Sequence, residues 1–195
     1  MNLPNKLTLM RIILVPFFVA FLLIDAVPHH YLIALVIFII ASLTDMLDGK
    51  IARKNSMVTD FGKFADPLAD KILVTAAFSC FVQLDIVNAA FIILVLFREF
   101  TVTSIRLVAA EQGKVVAANI WGKAKTVSQM IAIIAVLLSG YIVELSSMDL
   151  CGVSPEAIDI IGIINQCLLW LSALLTVISG VIYIKDNFGF IKNAK

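Results

Sequence analysis

The sequence predicts an all-α integral membrane protein with six transmembrane helices. Of its 195 residues, 61% are hydrophobic and only 15% are charged, whereas soluble domains carry about 25% charged residues. The mean hydropathy of +1.02 indicates that lipid is the solvent for most of the chain. A transmembrane helix needs about 20 apolar residues, so this length accommodates six spans with short connections. We therefore expect one membrane domain over residues 1–195 and no separate soluble domain.

Short polar connections separate the predicted spans. The apolar segments lie at about 8–24, 31–50, 62–84, 87–111, 119–143 and 158–185. Turn-forming residues such as Pro28, Gly152 and Pro155 fall between them. Helices are the expected spanning element because lipid cannot form hydrogen bonds with exposed backbone groups.

The basic residues fall on one side of the predicted bilayer. The connections near 25–30, 84–88 and 144–157 contain no Lys or Arg. The chain ends and the other two connections, with the helix turns beside them, carry Lys6, Arg11, Lys50, Arg53, Lys54, Lys63, Lys114, Lys123, Lys125, Lys185, Lys192 and Lys195. Because basic residues concentrate in cytoplasmic connections, we expect both termini to be cytoplasmic, as an even number of spans requires.

Four aspartates lie where the second predicted span ends and the third begins. Asp45 and Asp48 precede the connection, and Asp66 and Asp70 follow it. Ionised carboxylates near lipid are costly and usually mark function. Residues three or four apart share a helix face, so each helix presents a pair of carboxylates. The short connection 54–61 is expected to bring the two pairs together.

Four carboxylates in one pocket would repel each other, and divalent cations with oxygen ligands relieve that repulsion. Two neighbouring metal ions are a known device for phosphoryl chemistry, because they neutralise a diphosphate and stabilise the leaving oxygen. A nearby carboxylate can accept a proton from an attacking hydroxyl. The alternative is a solvated helix end whose aspartates pair with nearby lysines, which fits one aspartate better than four at this spacing.

Small residues lie between the aspartates on the same helices. Gly49, Ala52 and Gly62 leave room for a bulky group near the backbone, which explains glycines that otherwise cost a helix about 1 kcal/mol each relative to alanine. Arg53 would direct a guanidinium group at a phosphate.

Residues 45–53 (DMLDGKIAR) and 62–70 (GKFADPLAD), separated by eight residues, resemble the signature of the CDP-alcohol phosphotransferases. Every signature position holds the family's residue at the family's spacing. Residues 2–11, 98–100, 104–106 and 121–126 are similar to bacterial members of that family that make phosphatidylglycerophosphate.

The resemblance implies six transmembrane helices around a polar cavity that opens to the cytoplasm of a bacterial cell, in a homodimer. It implies transfer of a phosphatidyl group from CDP-diacylglycerol to sn-glycerol 3-phosphate, with membrane lipids as surroundings and no nucleic acid partner. Two Mg²⁺ or Mn²⁺ ions would be held by Asp45, Asp48, Asp66 and Asp70. Asp70 would also be the general base. The CDP group would be accommodated by Gly49, Ala52, Arg53 and Gly62.

An acceptor that carries a phosphate needs cations to bind it. Arg106, Lys123 and Lys125 lie on the cytoplasmic halves of the fourth and fifth predicted spans and could converge there. The alternative is the ordinary enrichment of basic residues on the cytoplasmic side. Arg98 lies about midway along its span, and two interpretations stay open: a phosphate contact, or a buried pair with Glu99 or another carboxylate.

Three other functions compete with this hypothesis. The aspartate signature is compatible with another acceptor alcohol, such as inositol phosphate, serine or an aminoalcohol. A cation-coupled transporter would use the aspartates for the transported ion, but such sites lie near the bilayer midplane and often within repeats, whereas this cluster lies at a span edge. A noncatalytic scaffold would not need the complete aspartate set.

Overall fold

The computed structural model describes residues 3–55, 60–113 and 119–189, and for residues 3–4, 45–55, 60–68 and 70 it describes the backbone alone. Within these ranges the chain forms six helices and no strand. They are α1 (Leu3–Leu23), α2 (His30–Asn55), α3 (Asp60–Gln83), α4 (Ala89–Glu111), α5 (Ile120–Ser147) and α6 (Pro155–Asp186). Each helix contains most of one predicted apolar segment, so the predicted all-α class is confirmed.

Polar capping residues define where α4, α5 and α6 begin, which hydropathy alone does not show. The side chains of Asn88, Asn119 and Ser154 each accept a hydrogen bond from the backbone N–H three residues later, at the starts of α4, α5 and α6. Pro155 occupies the first turn of α6, where its missing N–H costs no hydrogen bond. Gly113, with φ of 70°, follows the end of α4 in the left-handed conformation that glycine adopts without strain.

Three helices of the described ranges are long and apolar enough to cross a membrane, over Asn5–Leu23, Ile120–Ser147 and Pro155–Asp186. Shorter apolar stretches lie in α2 and α3, at His30–Thr44 and Lys71–Gln83. In contrast, α4 carries the charged residues Arg98, Glu99 and Arg106 along its middle and C-terminal parts. The chain is a membrane protein, and charged groups in its helices need partners inside the bundle.

Large apolar side chains face outward while several polar ones are buried. Phe97 and Phe100 of α4 are 71% and 65% exposed, whereas Thr176 and Ser179 of α6 are fully buried. A soluble protein shows the opposite preference. This distribution fits helices whose outer surface contacts lipid and whose polar groups associate inside the bundle.

The first helix lies between the second and the third. Within the described residues α1 contacts both α2 and α3 extensively, while α2 and α3 contact each other little. On the other side of the bundle α6 contacts α5 and α4, and α5 also contacts α2. The aspartates of α2 and α3 therefore belong to helices that share α1 as their main neighbour.

Buried phenylalanines form the centre of the core. Phe18 of α1 lies with its ring centroid 5.9 Å from that of Phe38 of α2. Phe78 of α3 meets Phe91 of α4 edge to face at 5.0 Å, a favoured aromatic geometry. A smaller cluster of Val102, Ile105 and Tyr183 joins α4 to the last turn of α6.

Candidate active site

The two aspartate pairs lie on continuous helices, as their spacing predicts. Asp45 and Asp48 belong to α2, and Asp66 and Asp70 to α3, so each pair shares a helix face. Their side chains, like those of the predicted nucleotide residues Gly49, Ala52, Arg53 and Gly62, lie outside the described residues.

Only five Cα–Cα steps separate the end of α2 at Asn55 from the start of α3 at Asp60. These two backbone positions are therefore at most about 18 Å apart. Four carboxylates on two such helix ends are the oxygen-rich donor set that Mg²⁺ and Mn²⁺ prefer, so the residues present fit the two divalent ions that the sequence predicts. Among the side chains that the structure does describe, no group of three or more His, Cys, Asp or Glu residues could hold a metal ion.

A cavity of about 590 Å³ lies between α3, α4 and α5. All four predicted acceptor-site cations line it, namely Arg98, Arg106, Lys123 and Lys125. Lys71 and Glu99 also contribute to its wall. Because five cations and one carboxylate face this cavity in the described residues, it attracts an anion.

Arg98 and Lys125 are paired with the same carboxylate. Arg98 Nη1 donates to Glu99 Oε1 at 3.0 Å, and Lys125 Nζ lies 2.5 Å from that oxygen. The side chain of Arg98 is 11% exposed, that of Glu99 15% and that of Lys125 7%. Burial of ions is tolerated when they are paired in this way. The geometry therefore supports the interpretation of Arg98 as a member of a buried ion pair.

The last helix fixes the position of the Arg98 side chain. Arg98 Nη2 donates to Ser179 Oγ at 2.6 Å. A Cβ atom added to the neighbouring Gly180 would lie 3.0 Å from Arg98 Cγ, so a larger residue would displace the arginine. Arg98 is therefore held on α6 by a hydrogen bond to Ser179 and by close packing against Gly180.

Arg106 and Lys123 differ from the buried pair. Both are exposed, and neither has a carboxylate within 4.0 Å among the side chains that the structure describes. Arg106 Nε donates to the hydroxyl of Tyr183 at 3.2 Å. Most N–H groups of Arg106 and the ammonium of Lys123 therefore remain available for a ligand.

Lys71 connects this cavity to the aspartate signature. It follows Asp70 directly in α3, so the two Cα atoms are about 3.8 Å apart. Its ammonium donates to the Thr103 hydroxyl of α4, and that hydroxyl in turn donates to the backbone carbonyl of Glu99 at 2.7 Å. One wall of the cavity thus begins one residue after the last aspartate of the signature.

Sequence reasoning named Glu99 as one carboxylate with which Arg98 could pair, but it assigned no site role to Lys71 or to the hydroxyls of α6. A signal for the hydroxyls exists, because polar residues recur along α6 at helical spacing, at Ser172, Thr176, Ser179 and Tyr183. All four are buried, and the last two contact the arginines of α4. Intervals of four, three and four residues place them on one face.

Comparison with known proteins places the chain in a family. A family model described as CDP-alcohol phosphatidyltransferase matches residues 1–178. The chain is 42% identical to the CDP-diacylglycerol–glycerol-3-phosphate 3-phosphatidyltransferase of Bacillus subtilis (strain 168), over 99% of this chain and 98% of the relative. It is 36% identical to the protein of the same name from Rickettsia typhi, over 94% of this chain and 96% of the relative. It is also 40% identical to a protein named probable phosphatidylglycerophosphate synthase from Mycobacterium tuberculosis, over 68% of this chain and 64% of the relative.

The family match covers the aspartate signature and all five cations of the cavity. Two of these relatives align over nearly their whole length at more than 30% identity. The aspartate signature and these matches agree, and the chain belongs to the CDP-alcohol phosphatidyltransferase family of enzymes.

Proposed function

We propose that this enzyme transfers the phosphatidyl group of CDP-diacylglycerol to sn-glycerol 3-phosphate, giving phosphatidylglycerophosphate and CMP. The names of its relatives support this substrate pair. The observation that carries the proposal is the cation-lined cavity whose α3 wall starts beside Asp70. An acceptor phosphate in that cavity would leave its hydroxyl end close to the aspartates.

Two divalent ions are proposed to bind Asp45, Asp48, Asp66 and Asp70. When bound, they would neutralise the donor diphosphate and stabilise the oxygen of the departing CMP. The nucleotide would lie against the small residues beside the aspartates, which are Gly49, Ala52 and Gly62, with Arg53 directed at a phosphate. The donor set supports this assignment, because hard cations prefer carboxylate oxygen.

Asp70 is the proposed general base. It would accept the proton of the acceptor hydroxyl as the hydroxyl oxygen bonds to the phosphorus that carries the diacylglycerol. The bond from that phosphorus to the oxygen of CMP breaks at the same time, and CMP leaves with the bonding electrons. The resemblance of residues 62–70 to the family signature supports this role for Asp70, whose backbone lies one residue before the α3 wall of the cavity.

All four predicted cations are proposed to stabilise the acceptor phosphate, in two different roles. Arg106 and Lys123 would contact it directly, since both are exposed at the cavity and unpaired with a carboxylate in the described part of the chain. Arg98 and Lys125 would add positive charge to the cavity wall without contacting the phosphate, because Glu99 already accepts hydrogen bonds from both. A charge-assisted contact to a phosphate is worth about 1.5–3 kcal/mol.

We place the enzyme in the bacterial cell membrane as a homodimer of one membrane domain, residues 1–195, that crosses the bilayer six times. Both termini and the active site would face the cytoplasm. The distribution of Lys and Arg along the sequence supports this orientation, and a soluble acceptor in the cytoplasm would then reach the cavity directly.

Measurement of CMP release by the purified protein tests the function. We expect release with CDP-diacylglycerol and sn-glycerol 3-phosphate, at least tenfold faster than with inositol phosphate or serine. Mg²⁺ or Mn²⁺ should be required, and EDTA should abolish the reaction. Asp70→Asn should lose at least 99% of the activity. Faster release with another acceptor would reassign the substrate, and substantial activity of Asp70→Asn would remove this residue from the role of base.

A further inference from the structure

Tyr183 of α6 makes two contacts with the guanidinium group of Arg106. Its hydroxyl accepts a hydrogen bond from Arg106 Nε at 3.2 Å. The Arg106 Cζ atom lies 5.5 Å from the centroid of the tyrosine ring, within the range of a cation–π contact. These contacts join two helices across 77 residues of sequence.

The tyrosine is itself held rigidly. Its side chain is in the cluster with Val102 and Ile105 of α4, and the residue is only 2% exposed. Asn187 donates to its backbone carbonyl at 2.8 Å, at the end of the helix. The tyrosine does not line the acceptor cavity, so any effect of its hydroxyl on a ligand passes through Arg106.

A guanidinium group has five N–H donors in one plane. The bond from Nε to Tyr183 occupies one donor and fixes that plane, while the Nη groups of Arg106 make no hydrogen bond among the described residues. Two parallel N–H groups match the oxygens of a phosphate in a bidentate contact. An exposed arginine without this bond would sample many rotamers and lose entropy on binding.

We propose that Tyr183 is a positioning residue that orients Arg106 toward the phosphate of the acceptor. This inference rests on the proposed function, because it assigns the acceptor phosphate to Arg106. It goes beyond that function by assigning part of the selectivity for a phosphorylated acceptor to a residue that does not touch the substrate.

Steady-state kinetics of Tyr183→Phe in the full-length protein test the proposal. The substitution keeps the ring and removes only the hydroxyl. We expect KM for sn-glycerol 3-phosphate to rise about five- to tenfold, which corresponds to the net contribution of one hydrogen bond. The values of kcat and of KM for CDP-diacylglycerol should stay within about twofold. Inhibition by inorganic phosphate, competitive with the acceptor, should weaken by the same factor as the acceptor KM rises.

Tyr141→Phe is the matched control. It makes the same chemical change in α5, where the tyrosine ring contacts His29 in the connection before α2. We expect this variant to behave as the unmodified enzyme in all three measurements. An equal rise of the acceptor KM in both variants would contradict the proposal.

A double-mutant cycle with Arg106→Lys separates the inference from the function. Lysine keeps the charge but has no Nε to bond to Tyr183. In that background Tyr183→Phe should change the acceptor KM by less than about twofold, because coupled residues are not additive. A full effect of Tyr183→Phe in the lysine background would overturn the positioning role.

The remaining outcomes also decide between the two claims. If Arg106→Lys leaves the acceptor KM unchanged, a charge at this position is sufficient, an oriented guanidinium contributes nothing, and the inference fails. If sn-glycerol 3-phosphate supports no CMP release, the proposed function fails. If release is normal and Tyr183→Phe changes neither the acceptor KM nor phosphate inhibition, only the inference fails. A Tyr183→Phe protein that does not fold also contradicts it, because an orienting hydroxyl is not required for folding.

Discussion

Lys125 Nζ lies 2.5 Å from Glu99 Oε1, so an ammonium group of α5 is bonded to a carboxylate of α4. The same oxygen accepts from Arg98 at 3.0 Å, and Arg98 in turn donates to Ser179 of α6. One carboxylate therefore joins three helices at the cavity. In a bundle whose outer surface is apolar, such polar contacts supply specific association between helices.

Loss of the Glu99 carboxylate should destabilise the bundle. Glu99→Gln leaves Arg98 and Lys125 close together without a counterion, and breaking a buried ion pair in this way costs about 3–5 kcal/mol. We expect a marked fall in Tm in detergent. The double variant Glu99→Gln with Lys125→Met should recover a large part of the loss, because the uncompensated ammonium is removed.

Glu156→Gln provides the control, since Glu156 is exposed in the first turn of α6. Its substitution should change Tm little. Equal Tm values for Glu99→Gln and Glu156→Gln would show that the Glu99 pair does not stabilise the fold.

Removal of the Arg106 side chain should weaken binding of the acceptor and leave binding of CDP-diacylglycerol nearly unchanged. Arg106→Ala should raise KM for sn-glycerol 3-phosphate at least tenfold, because a charge-assisted contact contributes about 1.5–3 kcal/mol. KM for CDP-diacylglycerol should change far less. Lys185→Ala, which removes an exposed cation in the last turn of α6, should affect neither value. An equal increase for both substrates with Arg106→Ala would refute the acceptor assignment.

The contact between Gly140 and Tyr31 should not tolerate a methyl group. A Cβ atom added to Gly140 would collide with the Tyr31 ring, and such overpacking costs about 1–3 kcal/mol. We expect Gly140→Ala to lower Tm. Gly162→Ala is the matched change, because nothing lies within 4 Å of its added Cβ and alanine favours the helix. If both variants have the same Tm, the close approach of α5 to Tyr31 is not rigid.

Glu144 of α5 acts as a cap for another helix. Its two carboxylate oxygens accept from the backbone N–H groups of His30 and Tyr31, at 3.0 and 3.3 Å, at the start of α2. Loss of a cap costs about 0.5–2 kcal/mol. Glu144→Ala should lower the free energy of unfolding by this amount, measured by thermal unfolding. Glu144→Gln keeps one of the two accepting oxygens, so it should lower the free energy of unfolding less. The KM values should stay unchanged, because this end of α5 lies 19 residues beyond Lys125.

The sequence by itself predicts the helix count and the family. Runs of about 20 apolar residues must form helices in lipid, because only a helix satisfies its own backbone there. The aspartate signature is a local pattern on two consecutive helices, so residues 45–70 reveal it without any knowledge of packing. The candidate cations at Arg106 and Lys123 were also identifiable, because charge is rare in these spans.

Only the tertiary structure shows which helices are neighbours and how each is rotated. Hydropathy does not predict that α1 lies between α2 and α3, or that Tyr183 accepts a hydrogen bond from Arg106. The physical reason is that both the lipid-facing and the buried surfaces of these helices are mostly apolar, so hydropathy does not distinguish them except where polar residues recur on one face, as in α6. The shared bond of Arg98 and Lys125 to Glu99 likewise depends on the rotation of two helices about their axes. Contacts of this kind join residues far apart in sequence, and packing alone selects them.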